Sequence, residues 1–207
     1  MPIVPHLTYE GFRSAVLGRY FDLDGSGGAQ CWDGVCLLYT QEDIGQYLYT
    51  IRAFDISQKG YVKTCWTDPR CRQRNGSGHF MQVPNLSDVR RGDIVVLNTY
   101  SNQYGKVYGI TGHIAFADED YHGQESIDFL GQNQGKGSNP YTGKPFNIVK
   151  SDIAHAFLGA FRYTAWNGSS PTPPTPQPLY NKHRYNFVLF NRRKRQEKWT
   201  KKPLKRR

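Results

Sequence analysis

GHIAFADEDYHGQESIDFLGQN, residues 112–133, decides how this chain folds. It holds two apolar runs, His113-Ile114-Ala115-Phe116-Ala117 and Ser126-Ile127-Asp128-Phe129-Leu130, joined by a polar connection that contains Gly123. Each run is too short for a helix and is bounded by turn residues, so each reads as a strand. Working outward, Ile94-Val95-Val96-Leu97 upstream and Ala156 to Tyr163 downstream repeat the pattern. Towards the N-terminus the period changes. Tyr9, Phe12, Val16, Leu17 and Tyr20 recur at helical spacing behind Thr8, an N-cap residue, and predict a helix over about 9–20. A second helical stretch starts near Cys31 and runs through Val35, Leu38 and Tyr39. Residues 52–85, rich in Gly, Arg and polar side chains, read as surface loops. Helices first and strands afterwards predict an α+β domain built on an antiparallel sheet.

The charge is unevenly placed. The 207 residues carry 27 Lys or Arg against 17 Asp or Glu, a formal net charge of +10. Residues 180–207 hold 12 of the basic side chains and one acidic one, Glu197, which leaves 15 basic against 16 acidic in the rest. The body is therefore nearly neutral and offers no basic face, which argues against nucleic acid as its partner. At 38% hydrophobic and 14% aromatic it can bury a core. No run approaches the roughly 20 apolar residues of a membrane-spanning helix. MPIVPHLTYEGF, residues 1–12, has neither a basic n-region nor an apolar h-region, so no conventional secretory signal is expected.

Synthesis without such a signal places the cysteines in a reducing compartment, where persistent disulfides are rare. Cys65 and Cys71 flank Asp68-Pro69 and read either as two free thiols or as a pair closed after export. Cys31 stands at the start of the second helix, where the partial positive charge of a helix N-terminus favours a thiolate. A nucleophilic thiol needs a base. Of the six histidines (His6, His79, His113, His122, His155 and His183), His113 follows Gly112 and opens an apolar strand. Asn133, which period-two alternation puts on one face with Gly131, is the candidate to orient the ring. Ahead of Cys31, DLDGSGGAQCWD (22–33) resembles the first half of an EF-hand loop, with Asp33 at the twelfth position. The same spacing also suits an acidic turn that caps the following helix.

Four segments taken in order, DLDGSGGAQCWD (22–33), RRGDIVVL (90–97), GHIAFA (112–117) and GQN (131–133), resemble the CHAP family of cysteine, histidine-dependent amidohydrolases and peptidases. The resemblance covers about residues 8–165. It implies a papain-like CHAP fold, with N-terminal helices packed on the antiparallel sheet. It also implies Cys31 as nucleophile, His113 as general base and Asn133 as a polar residue of the active site, with Gln30 joining the Cys31 N–H in the oxyanion hole. Calcium, as a structural ion, would be held by the side chains of Asp22, Asp24 and Asp33 and the carbonyls near Ser26 and Gly28. The substrate implied is bacterial peptidoglycan, cut either as an N-acetylmuramoyl-L-alanine amidase or as an endopeptidase, in the manner of a bacteriophage endolysin. Many relatives carry Glu directly before the Gln-Asn pair. This chain has Gly131 there, which leaves Asn133 as the orienter.

Beyond Trp166, NGSSPTPPTPQP places five prolines between Pro171 and Pro178, a semi-rigid spacer. The domains expected are a catalytic body over 1–166, a Pro-rich linker over 167–178 and a basic tail over 179–207. Too short for a core of its own, the tail reads either as a solvated extension or as an attachment to an anionic surface such as teichoic acid. Arg192, Arg193, Lys194, Arg195, Lys201 and Lys202 would make that contact. The protein, taken as a monomer, would stay in the host cytoplasm until a holin released it, or would travel with the virion and act at infection. The other reading is a catalytically weakened protein that binds wall or nucleic acid.

Overall fold

The computed structural model describes residues 8–23, 25, 28–42, 55–58, 60–78, 80–98, 110–139 and 141–167. Residues 168–178 of the linker, the basic tail, and Asp24, Ser26, His6, His79 and His183 lie outside the described residues. Helices α1 (Tyr9–Val16), α2 (Cys31–Glu42), α3 (Thr64–Thr67) and α4 (Pro69–Asn75) accompany strands β1 (Phe80–Val83), β2 (Ile94–Leu97), β3 (His113–Ala117), β4 (Ser126–Gly131), β5 (Asn147–Asp152) and β6 (Phe157–Tyr163). The strands form one antiparallel sheet in the order β1-β6-β2-β3-β4-β5. The architecture is α+β.

The interior strands are apolar at successive positions because the sheet is covered on both faces. Ile94, Val96, Ile114, Phe116, Leu130 and Phe161 pack with Phe12, Val16, Val35 and Leu38 of the helices. Their neighbours Val95, Leu97, Ala115, Ala117, Phe129 and Ala160 turn to the opposite face, which Val83, Val89, Ile153 and Ala156 cover. Register fixes the assignment, since Val96 pairs with Ile114 and Leu97 with His113. A one-residue slip would exchange the two faces.

Helix α1 starts as expected, with Thr8 Oγ1 accepting Gly11 N–H at 3.0 Å. It stops at Val16 rather than near residue 20. Leu17 leaves the helix with ψ 128, Gly18 takes φ 75, and the Gly18 N–H goes to Phe146 O at 2.9 Å instead of back along the helix. Leu17 and Tyr20, read as part of the apolar stripe, are accordingly 42% and 49% exposed.

Residues 52–85 also depart from the loop reading. They contain α3, α4 and β1, and bury Cys65, Trp66 and Cys71. Asp68 Oδ1 caps α4 by accepting Arg70 N–H at 2.8 Å, ahead of Pro69 in the first turn. Trp66 lies 5.1 Å from the Phe161 ring, centroid to centroid. It lies directly over Gly159, where a Cβ would come within 1.9 Å of its indole. These elements are four to seven residues long, too short for either period to emerge above their Arg, Gln and Gly content. All four cysteines are free thiols.

Candidate active site

The site forms where the N-terminus of α2 meets the first residue of β3. Cys31 is partly exposed as a residue, and the backbone N–H groups of Ile114, Trp32 and Cys31 itself lie near enough to its sulfur to favour the thiolate. Burial pushes the thiol up to about 11, with the Ile114 N–H opposing that rise and the Asp33 carboxylate adding to it. The sulfur thus sits on the peptide that follows His113.

His113 is 2% exposed, in contrast to the exposed His122 and His155. Burial lowers its imidazole to about 4, a fall that its contact with Gln134 moderates. That contact, His113 Nε2 to Gln134 Oε1 at 3.1 Å, corrects the expectation for Asn133. Asn133 has φ 53, which ends β4 and breaks the alternation that would have aimed it at the ring. Its side chain serves Gln30 instead: Nδ2 donates to Gln30 Oε1, while Oδ1 accepts Asn139 N–H at 2.8 Å. Gln30 is thereby oriented with its Nε2 as the donor end, next to Cys31 in the chain.

Gln132, fully buried, ties the segment before Cys31 to the sheet. Its Oε1 accepts Phe21 N–H at 2.9 Å, and its Nε2 donates to Phe21 O and Gln30 O, each at 3.0 Å. Reading residues 131–133 as a strand end hid this role, and also that of Gln134. The visible signal was three consecutive amide side chains, Gln132, Asn133 and Gln134, directly after an apolar run.

The segment just before Cys31 is held by Gly143 and Lys144. Ala29 and Gly143 form a parallel bridge, and Lys144 N–H reaches Ala29 O at 3.2 Å. The approach is close enough that a Cβ at Gly28 would fall 2.1 Å from Thr142 O. For a calcium ion the fit is partial. Asp22 Oδ1 accepts Gly25 N–H at 2.8 Å, and Gly25 takes φ 67, so the segment closes as a cation loop must. Asp33 is 1% exposed, and its two oxygens accept Leu23 N–H at 3.1 Å and Gln30 N–H at 2.9 Å. That pattern is the capping alternative: a side chain in the first helical turn returning to the N-terminal main chain.

Fold and site together define an α+β protein with a thiol at a helix N-terminus and a buried histidine opening the adjoining central strand. The chain is similar to a D-alanyl-L-alanine endopeptidase of Streptococcus phage B30, at 31% identity over 157 residues, which is 75% of this chain and 30% of that protein. It thus spans about a third of the length of that relative. The fold is similar to the crystal structure of the wild-type endolysin LysIME-EF1, with a TM-score of 0.50 and 17% identity over 74% of this chain and 62% of that one. No family model matches the chain.

Proposed function

We propose that this protein is a peptidoglycan hydrolase of the CHAP type, with a papain-like arrangement of Cys31 and His113, that cleaves an amide bond in the bacterial wall. The observation that carries the reading is the Cys31 thiol at the N-terminus of α2, near the Ile114 N–H that follows the buried His113 in the chain. Similarity to a phage endopeptidase supports it and makes a D-alanyl–L-alanine bond the first candidate. The N-acetylmuramoyl-L-alanine amide is the second.

At neutral pH both groups are uncharged, the thiol protonated and the imidazole neutral. Attack therefore proceeds by general-base catalysis, with His113 taking the thiol proton as the S–C bond forms. The oxyanion is held by the Cys31 backbone N–H and Gln30 Nε2. His113 returns the proton to the departing amine, and the acyl-enzyme is then hydrolysed by water that His113 activates. Digestion of purified peptidoglycan, with mass spectrometry of the fragments, tests this. Wild type is expected to release new amino groups, N-terminal alanine foremost, and Cys31→Ala to release none while keeping its circular dichroism spectrum. Cleavage by Cys31→Ala would remove the thiol from the mechanism.

Calcium belongs to the same reading. Asp22, Asp24, Asp33 and the carbonyls near Ser26 and Gly28 would hold it, with Asp33 also tying Leu23 and Gln30 together. Bound there, the ion supplies positive charge that holds the loop before Cys31 shut. Chelation with EDTA is expected to lower the melting temperature by a few degrees, about 1 kcal/mol for a domain of this size, and added calcium to restore it. An unchanged melting temperature would leave the loop to its capping role. The protein would reach the wall from the host cytoplasm after membrane release, in phage-induced lysis. No helix among the described residues is long and apolar enough to cross a membrane.

A further inference from the structure

Lys63, the N-cap residue of α3, stands against the start of β3. Its N–H donates to Thr111 O at 3.1 Å. Gly112, between Thr111 and His113, has φ 74, and a Cβ there would fall 2.7 Å from Lys63 Cβ and 2.7 Å from Leu97 O. The lysine side chain thus leaves its backbone beside a glycine that gives it room. At its end, Nζ donates to Asn98 Oδ1 at 3.2 Å. Asn98 follows β2, whose last residue, Leu97, pairs with His113. Lys63 is partly exposed and Asn98 exposed, so both are open to a ligand.

What the pair offers is donors. The Asn98 amide oxygen is taken by the ammonium, which leaves the Nδ2 hydrogens and the other ammonium hydrogens for a ligand. Among the described residues Lys63 forms no ion pair, whereas Arg13, Arg74, Arg91 and Arg162 are each paired with a carboxylate. The same corner adjoins the nucleophile. Cys65, two residues on from Lys63, is buried in the apolar cluster against which Cys31 packs. Burial raises the Cys65 thiol well above its ordinary value, and the nearby Cys71 and Cys31 sulfurs add to the rise. The Ile114 N–H beside the Cys31 sulfur is two residues from Gly112, about 7 Å along the strand. An extended peptide covers that distance in about two residues.

We infer that Lys63 and Asn98 form a carboxylate-binding subsite, so that the protein selects a peptide bearing a free carboxylate about two residues from the bond it cuts. The inference rests on the Cys31–His113 reading above and names the substrate class of that site. A carboxylate satisfies both donors at once: one oxygen accepts from Nζ and the other from Nδ2, and its charge answers an ammonium that no acidic side chain among the described residues neutralises. The amidated form of the same peptide keeps one acceptor and loses the charge. The subsite acts in binding rather than in the chemical step, so its loss raises KM and leaves kcat.

Calorimetry with full-length Cys31→Ala, which leaves the ligand intact, tests this. The probes are synthetic peptides containing a D-alanyl–L-alanine bond. One pair carries glutamate or glutamine two residues before the bond, and a second pair carries them two residues after it. In one of the pairs the glutamate peptide is expected to bind about fivefold to tenfold more tightly, a difference that shrinks in about 0.5 M salt. Adding Lys63→Met is expected to erase the preference, Lys63→Arg to keep most of it, and Asn98→Ala to lower it about threefold. Every variant keeps the basic tail, so the difference belongs to the subsite. Binding of none of the peptides, equal binding within both pairs, or a preference that survives Lys63→Met would overturn the inference. Should Lys63→Met fail to fold, Asn98→Ala decides. If Cys31→Ala shows the preference and wild type leaves the same peptides uncut, the hydrolase reading is what fails.

Discussion

His113 is neutral in the fold because burial outweighs the help of one amide oxygen, and that has a consequence for stability. Its folded value of about 4 lies below the ordinary 6.5. Between those two values the unfolded chain binds a proton that the folded chain does not. Stability is therefore full above pH 6.5 and declines as pH falls through that window towards 4, by about 3 kcal/mol for the whole shift. Urea unfolding at pH 7, 5.5 and 4 is expected to show the decline, and His113→Gln to flatten it. An equal slope in the variant would assign it to other groups. At this scale the sequence identified residue types well and partners poorly. Cys31 and His113 stand out by their positions before a helix and a strand. Gln134 does not, because its selection over Asn133 depends on a single left-handed residue and on carbonyls that β4 and β5 bring to it.

Helix α2 and the loop before it are joined by Asp33, which serves Leu23 and Gln30 at once. Asp33→Ala strands two backbone donors and is expected to cost about 2 kcal/mol or more. Asp33→Asn, which keeps one acceptor, should lose less; urea unfolding measures both. Equal stability of Asp33→Ala and wild type would mean that water satisfies those donors. Legibility among the elements follows the sheet order. The four strands read from the sequence are the four interior ones, β6, β2, β3 and β4, whose two covered faces make continuous apolar runs. The two missed, β1 and β5, are the edges. Phe80–Val83 is buried only at its ends, and Asn147–Asp152 exposes Lys150, so neither presents a run or a clean alternation. Helix α1 was placed correctly at its capped start and overextended at its end, because Gly18 bonds to Phe146, distant in the chain.

Across the whole molecule, charge separates the chain into a nearly neutral body and a tail of net +11. If the tail attaches the enzyme to anionic wall polymer, a chain ending at residue 178 should cleave soluble wall fragments at the full-length rate and bind whole walls less. Binding of the full chain should weaken with salt, since screening shortens electrostatic reach to about 10 Å at 0.1 M. Sedimentation with whole walls at low and high salt checks this, and salt-independent binding equal in both chains would reduce the tail to a solvated extension. By itself the sequence determined the α+β class, the interior of the sheet, the capped start of α1, the position of the thiol at a helix N-terminus and the segregation of charge. Each follows from local pattern: apolar period, capping residues and composition. Only the tertiary structure decided where the amides of residues 132–134 point, which carboxylate caps the loop before Cys31, and that Phe80–Val83 joins the sheet as an edge strand. Those outcomes rest on hydrogen bonds and contacts between segments far apart in the chain, whose direction no local pattern encodes.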